Sequence, residues 1–217
     1  MRTYGDPCGV AYALDLVGER WALLVVRELL LGPKRFTDLQ TGLPHASRSV
    51  LAQRLHELEE AGLVRRGRLP PPAGSRIYEL TDWGRTLEDV VLSLGRFALA
   101  GPPRAREGEM SVDSHVLHLK TLFDPRAADG LDARYELRLG EHPFRARVAD
   151  GGLEFAHGAP AEADATIEAD PGTLVAVASN RRPLAEAIRS GDVRIDGDEE
   201  AASRFLGLFK APAPYSS

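Results

Sequence analysis

The chain has 217 residues, of which 43% are hydrophobic, and a formal net charge of −5. This length exceeds the usual size of one domain and predicts two. No apolar run of about eighteen residues occurs, so no membrane span is expected, and residues 1–20 lack the apolar core of a signal peptide. Cys8 is the single cysteine, which excludes an intrachain disulfide and predicts a cytoplasmic protein.

The charge is unevenly distributed. Residues 1–110 contain 15 Lys+Arg and 14 Asp+Glu, a net of +1, whereas residues 111–217 contain 12 and 18, a net of −6. Because only a local basic face is needed to neutralise phosphates, the first half can bind nucleic acid. The acidic half should repel DNA and point away from it.

Short helices are predicted at the start of the chain. Apolar helix candidates lie at 10–17 and 21–31, the second of which ends at Gly32-Pro33, and a short helical segment follows at 36–40. Ser47 is a suitable N-cap for the next helix. The apolar spacing of that helix predicts a buried stripe of Val50, Leu51, Leu55, Leu58 and Ala61.

A hairpin and a further helix follow. The segment 63–68 predicts a strand with three arginines, and 76–80 predicts the returning strand. The three prolines within 69–75 cannot form ladder hydrogen bonds, which predicts the tip of a wing. Thr81-Asp82 should cap one long helix from about Trp83 to Ala98. This order is typical of a mainly α winged helix-turn-helix domain.

In such a domain the second helix of the motif reads base edges, and the wing contacts the flanking backbone. Arginine pairs bidentately with guanine, and glutamine pairs with adenine. A solvated helix face or hairpin is the alternative interpretation. The candidate DNA-binding residues are Lys34, Arg35, Ser47, Arg48, Ser49, Gln53, Arg54, Arg65, Arg66, Arg68 and Arg76.

Several stretches of the first half carry a family resemblance: 13–21, 23–33, 35–36, 38–39, 47–64 and 78–84. Through them, residues 8–97 resemble the HxlR family of winged-helix transcriptional regulators. The resemblance implies a homodimer built from the N-terminal and last helices, with two recognition helices on a palindromic double-stranded operator. The family often has Cys-Pro near its start, whereas Cys8 precedes Gly9 here. Some members sense oxidants or electrophiles through an N-terminal cysteine.

The composition of 101–111, rich in glycine, proline and charge, predicts a linker between domains 1–100 and 112–210, and residues 211–217 are expected to form a flexible tail. In the second half the hydrophobic period changes to two, which predicts strands. These strands are expected at 135–139, 144–148, 153–155, 165–169 and 193–195. Helix candidates at 112–123, 171–178 and after 183 and 198 complete an α+β domain.

A second resemblance rests on Phe144, Val148, Asp150-Gly151, 163–167, Asp170, Leu174, 187–188, 190–191, Val193, Ile195, 197–198, Phe205 and 208–209. Through them, residues 112–210 resemble the sterol carrier protein-like domain. That implies an apolar cavity between sheet and helices for a hydrophobic effector such as a lipid, a polyketide-like metabolite or an antibiotic. A filled core is the alternative. The candidate ligand-binding residues are Phe144, Val148, Phe155, Ile167, Leu174, Phe205 and Phe209.

No nucleophile elbow, phosphate-binding loop, dinucleotide fingerprint or HExxH motif occurs, so we predict no catalytic residues, no cofactor and no enzyme activity. His115 and His118 lie three residues apart near Asp113, a spacing compatible with metal binding. Because no second cluster completes a site, no metal is predicted.

The main hypothesis is a dimeric bacterial-type regulator, a repressor, that a hydrophobic small molecule modulates. A lipid carrier or scaffold whose winged helix mainly dimerises is the alternative from another class, and the arginines of 48–76 disfavour it. In a third hypothesis, the second half has a filled core and only extends the dimer interface.

Overall fold

The computed structural model describes residues 3–69, 74–102 and 108–213. The chain divides into two compact units, Met1–Val91 and Leu92–Ser217, and this division falls inside the helix Leu87–Ala100. Residues 70–73 of the predicted wing tip, 103–107 of the predicted linker and 214–217 of the predicted tail lie outside the described residues.

The first unit is a helical domain with a two-stranded wing, as predicted. Its core is built from buried leucines and valines of the helices, joined by Val64 and Leu80 from the two strands. The hydroxyl oxygen of Ser47 accepts a hydrogen bond from the Val50 amide at 3.3 Å, which confirms the predicted N-cap. Its elements are α1 Gly9–Val17, α2 Ala22–Leu29, α3 Phe36–Gly42, α4 Arg48–Glu60, β1 Val64–Arg68, β2 Arg76–Leu80 and α5 Asp82–Arg85, followed by α6 Leu87–Ala100.

The prediction of one long helix after the wing is wrong, because α5 ends at Arg85 and a separate helix α6 begins at Leu87. The hydroxyl of Thr81 accepts from the Gly84 amide at 3.0 Å and donates to the Gly62 carbonyl at 2.7 Å. Gly84 lies so close to the carbonyl of Leu63 that no Cβ would fit there. The first turn is therefore fixed against the end of α4 and the start of the wing.

A buried carboxylate joins several segments of this unit. Glu28 of α2 is fully buried and accepts hydrogen bonds from Lys34 Nζ at 2.6 Å and from an Arg27 guanidinium nitrogen at 2.9 Å. The backbone of Lys34 in turn exchanges two hydrogen bonds with Tyr78 of β2. A Cβ at Gly42, at the end of α3, would meet the Glu28 carboxylate, so a side chain there would displace this group. One charged group thus fixes α2, α3 and the wing together.

The second unit is an α+β layer, which confirms the predicted fold class. Its sheet has the order β5-β4-β3-β6-β7, in which only the β3–β6 pair is parallel among the described strands. The side chains of Asp170 and Asp198 accept from the first amides of the helices that follow them. Its elements are α7 Val112–Leu122, β3 Ala133–Leu139, β4 His142–Ala149, β5 Gly152–His157, β6 Ala165–Ala169, α8 Pro171–Ala178, α9 Leu184–Arg189, β7 Val193–Gly197 and α10 Glu199–Leu206.

Tyr135, on the central strand β3, has a polar hydroxyl group that is buried in this core. Its side chain is 0% exposed, and its ring lies 4.5 Å from the ring of Phe205. Its hydroxyl has no hydrogen-bond partner within the part of the chain that the structure describes. Burial raises the pKa of this phenol above its ordinary value, because the phenolate would lose its hydration.

We expect the substitution Tyr135→Phe to raise the free energy of unfolding by about 1 kcal/mol, because it removes an unpaired buried hydroxyl and keeps the ring contact. The raised folded-state pKa also predicts a pH effect. As pH rises above about 10, the unfolded phenol ionises before the folded one, so the wild type loses stability that the variant keeps. Urea unfolding at pH 7 and pH 10.5 (roughly, bracketing the ordinary phenol value) measures both effects.

Tyr12→Phe is the matched control, since Tyr12 is 57% exposed and should change stability by less than about 0.5 kcal/mol. A Tyr135→Phe protein less stable than the wild type at neutral pH would mean that the Tyr135 hydroxyl forms a stabilising hydrogen bond in solution.

Candidate nucleic-acid interface

The helix-turn-helix consists of α3, a turn over residues 43–47, and α4. Leu43 and Ala46 are buried in the turn, and the Gln40 side-chain amide donates to the Ala46 carbonyl at 2.7 Å. These contacts fix the direction in which α4 leaves the turn. The buried side of α4 is formed by Leu51, Leu55 and Leu58, as the apolar spacing predicted.

The N-terminal end of α4 presents polar side chains to solvent. Ser47, Arg48, Ser49 and Gln53 are all exposed. The Arg48 guanidinium lies 5.8 Å from the centre of the Phe36 ring. The N-terminus of a helix carries partial positive charge and free amides, which favours phosphate contact at this end.

Two exposed histidines of this region, His45 and His56, are not among the residues predicted to contact DNA. His45 lies in the turn before α4, and His56 follows Gln53 by three residues on the exposed side of the helix. The signal that could have identified His56 is its helical spacing from Ser49 and Gln53. Imidazole can donate to phosphate or to a base edge, so both extend the candidate surface.

Arg54, also a candidate for DNA contact, is instead directed into the protein. Its side chain is 9% exposed, and its guanidinium lies 3.6 Å from a carboxylate oxygen of Glu19. It also donates to Glu57 at 3.1 Å. The DNA contact predicted for Arg54 would require this group to leave two carboxylates, so the geometry supports a structural role that connects α4 to the loop before α2.

Lys34 has a similar position, since its ammonium group donates to buried Glu28 at 2.6 Å and its side chain is only 13% exposed. Its neighbour Arg35 is exposed, and its backbone amide donates to Asp38 at 3.0 Å. Of this predicted pair, Arg35 is therefore the one whose cation is accessible to a phosphate.

The wing arginines fall into two pairs. Arg65 donates to Glu79 at 2.9 Å, and Arg66 lies 2.9 Å from Glu59 of α4. Arg68 and Arg76 are directly opposite each other in the strand register and are exposed. Neither forms an ion pair within the described part of the chain. Two uncompensated cations at the outer end of the wing favour an anionic partner there.

The seven candidate ligand-binding residues of the second unit are all buried, and those on strands share the helix-covered side of the sheet. Phe205 contacts Tyr135 at 4.5 Å and Phe209 at 5.1 Å between ring centres. Packing in the hydrophobic core is sufficient to explain why these residues are apolar. Their contact with a ligand stays a prediction.

The two histidines of α7 are not brought together with a third ligand. The Nδ1 atom of His115 lies 2.9 Å from the Ser111 carbonyl oxygen, and Asp113 pairs instead with His157 at 3.0 Å. Among the described residues, no group of three or more His, Cys, Asp or Glu could hold a metal ion.

Comparison with known proteins decides the family. The HxlR-like helix-turn-helix family matches residues 16–101. The HTH-type transcriptional regulator YvaP of Bacillus subtilis (strain 168) is 37% identical over 86 residues, which are 40% of this chain and 80% of that protein. YodB of the same organism is 38% identical over 86 residues, 40% of this chain and 77% of that protein. The chain belongs to the HxlR-like helix-turn-helix family.

The HxlR resemblance drawn from the sequence is thus confirmed, and the first unit is the DNA-binding unit of a transcriptional regulator. The solved structure of reduced YodB is 36% identical, with a TM-score of 0.39, over 43% of this chain and 92% of that one. Since this TM-score is below 0.5, the assignment to the HxlR family rests on the sequence match.

The second unit matches a different family, the alkyl sulfatase C-terminal domain, over residues 108–215. A double mutant of the sec-alkyl sulfatase PisA1 is 24% identical to this chain, with a TM-score of 0.42, over 49% of this chain and 17% of that one. The resemblance to sterol carrier proteins stays a prediction. None of the described helices is long and apolar enough to cross a membrane.

Within this HxlR-like unit, we expect Arg54→Ala to lower the free energy of unfolding by about 1–2 kcal/mol, because it removes a buried side chain and leaves the partly exposed Glu19 and Glu57 without their shared partner. Gln53→Ala is the control, since Gln53 precedes it on the same helix but is exposed. Its change should stay within about 0.5 kcal/mol. Equal stability of both variants in urea unfolding would mean that the ion pairs of Arg54 do not stabilise the fold and that its guanidinium is available to contact DNA.

Proposed function

We propose that the chain is a repressor that binds a palindromic double-stranded operator as a homodimer and that a hydrophobic small molecule in the second unit modulates this binding. The observation that carries the proposal is the exposed N-terminal end of α4, where Ser47, Arg48, Ser49 and Gln53 face solvent, together with the free cations Arg68 and Arg76 on the wing. Arg48, Ser49 and Gln53 would contact base edges or the phosphates beside them, and the wing would contact the flanking phosphates.

Exposed apolar side chains on two helices support the homodimer. On α6, Val90, Leu94 and Phe97 follow helical spacing and are 44%, 49% and 77% exposed. On α1, Val10 and Leu14 are also exposed and lie four residues apart. Such faces favour burial against a second copy, and the family resemblance implies a dimer contact on these same helices. Two recognition helices about 34 Å apart would then span successive major grooves of a palindrome.

The effector proposal rests on the apolar interior of the second unit and on its match to a domain found in alkyl sulfatases. We infer a regulator rather than an enzyme, since the family established by the first unit is one of transcriptional regulators. Ligand control requires that the effector bind two dimer arrangements with different affinities.

For DNA binding, we expect Arg48→Ala to weaken operator affinity about tenfold or more and to reduce the slope of log affinity against log salt by about one if Arg48 contacts phosphate. The probe is the region upstream of the gene for this chain, tested by gel shift at two salt concentrations. Genome-wide selected DNA is the second probe.

Arg126→Ala is the charge-matched control, because Arg126 is exposed in the second unit, outside the winged helix. Equal affinity for Arg48→Ala and Arg126→Ala would remove Arg48 from the interface. If the wild type selected no specific DNA at low salt, the carrier or scaffold hypothesis would replace the repressor.

The position of Cys8 favours a second input signal, the modification of its thiol by an oxidant or electrophile. Cys8 is exposed at the N-cap of α1. The backbone amides of Val10 and Ala11, which point toward the sulfur from the first turn of α1, lower the pKa of this thiol below its ordinary value. A larger thiolate fraction at neutral pH makes the sulfur more reactive.

We therefore expect the rate of alkylation of Cys8 by iodoacetamide to reach half its maximum at a pH below about 8.5, the ordinary midpoint of a free thiol. Val10→Pro removes the backbone N–H that lowers the pKa of this thiol most, at a position in the first helical turn that tolerates proline, so this midpoint should move upward. The urea-denatured chain is the reference state. A midpoint equal in the native and denatured chains would contradict this sensor.

A further inference from the structure

The solvent-facing side of the five-stranded sheet concentrates arginines within a unit that is otherwise acidic. The exposed arginines of the sheet are Arg134, Arg138, Arg145, Arg147 and Arg194. Arg138 pairs with Glu136 at 3.0 Å, and Arg194 lies 3.6 Å from Glu168. Arg134, Arg145 and Arg147 form no ion pair within the described ranges 3–69, 74–102 and 108–213.

Strand register brings these three arginines together. Arg134 of β3 is directly opposite Arg147 of β4, and Arg145 lies two residues before Arg147 on the same side of β4. Like charges directly opposite each other in a sheet are unfavourable unless an anion lies between them. Arg145 donates one hydrogen bond to the His157 carbonyl at 2.9 Å, which orients its guanidinium and leaves its other donors available.

The three arginines border a groove of about 450 Å³. Apolar atoms of Ala156, Pro160 and Ala161 form part of its wall, and Phe155 also borders it. A volume of this size lies within the range of small-molecule sites, which are mostly apolar with a few convergent polar groups. The groove therefore offers both guanidinium donors and an apolar surface.

The net charge of the side chains that line the groove limits which ligands can bind there. Glu154 and Glu162 also line the groove, so three positive and two negative side chains leave a balance of one positive charge. Arg147 of β4 has Arg134 as its register partner on the neighbouring strand β3 and Glu154 as its register partner on the other neighbouring strand, β5. Glu154 therefore competes with a ligand for the Arg147 guanidinium. A ligand with a single negative charge fits this balance better than a polyanion, which the acidic second half would repel.

We propose that this groove binds an amphipathic organic monoanion, whose carboxylate or sulfate group lies between Arg134 and Arg147 and whose apolar part packs on Ala156, Pro160 and Ala161. The planar guanidinium matches such oxyanions with two parallel hydrogen bonds. Apart from Phe155, which also borders the groove, the buried strand residues of the proposed effector site lie on the opposite side of the sheet. It is independent of DNA binding, so its test needs no operator.

The experiment is isothermal titration of the full-length protein with octanoate at low salt, below its micellar concentration. We expect saturable binding of one octanoate per chain. Acetate lacks the tail and octylammonium reverses the charge, so both should bind at least tenfold more weakly. Octyl sulfate should bind comparably to octanoate, since it offers the same single charge and tail.

Substitutions in the groove test whether the measured heat comes from octanoate binding at this site. Arg134→Gln and Arg147→Gln should each weaken octanoate binding about tenfold, because each removes a charge-assisted pair of hydrogen bonds. Glu154→Gln should strengthen binding severalfold by removing the competing carboxylate. Arg194→Gln is the matched control, since it lies on the same side of the sheet beside Glu168 and should leave binding unchanged. Circular dichroism and thermal unfolding confirm that each variant is folded.

The proposal is overturned if octanoate gives no saturable heat up to ~10 mM, the weak limit for a ligand of this size. It is also overturned if octylammonium binds as well as octanoate, or if Arg147→Gln and Arg194→Gln have equal effects. Binding that persists in both groove variants but is lost on substitution of a core residue such as Phe205→Ala in a folded protein would place the ligand in the interior instead.

Discussion

The buried ion pair between Glu28 and Lys34 is the interaction on which the DNA-binding unit depends. A carboxylate with no exposed surface is costly unless its charge is compensated, and here Lys34 and Arg27 both donate to it. Because Lys34 also pairs with Tyr78 through its backbone, the same residue aligns the wing with the segment that leads into α3. The direction of α4 follows from α3, so the position of α4 depends on a charge that is buried inside this unit.

The sequence was sufficient for the elements of the winged helix but not for the roles of its charged residues. Ser47 and the leucines at 51, 55 and 58 specify α4 through local spacing and capping, which act within a few residues. Arg54 lies between two of those leucines, and the local sequence does not show whether its side chain is buried beside the apolar stripe or exposed to solvent. Its burial depends on Glu19, 35 residues earlier, and such a contact exists only after the chain folds.

In the second unit, period-two alternation predicts which side chains share a face of each strand, but not which strands are neighbours. The parallel pairing of β3 with β6 requires a connection that passes β4 and β5, and no local signal encodes it. The juxtaposition of Arg134 and Arg147 is a consequence of register. Alternation could identify both as exposed, yet their shared environment, and the groove beside them, could be recognised only from the folded sheet.

Helix α6 gives the two units a covalent connection with defined packing at one end. Its first residues belong to the first unit, while Leu92 is buried in the second, and Gly95 lies against Thr121 of α7 with no room for a Cβ. A helix transmits displacement along its axis because its hydrogen bonds resist local bending. For the proposed regulation, an effector would need to favour one position of α7 against Gly95, and the close packing of this contact would oppose a gradual adjustment. The exposed apolar side chains of the same helix, Leu94 and Phe97, would carry that shift to the proposed dimer contact.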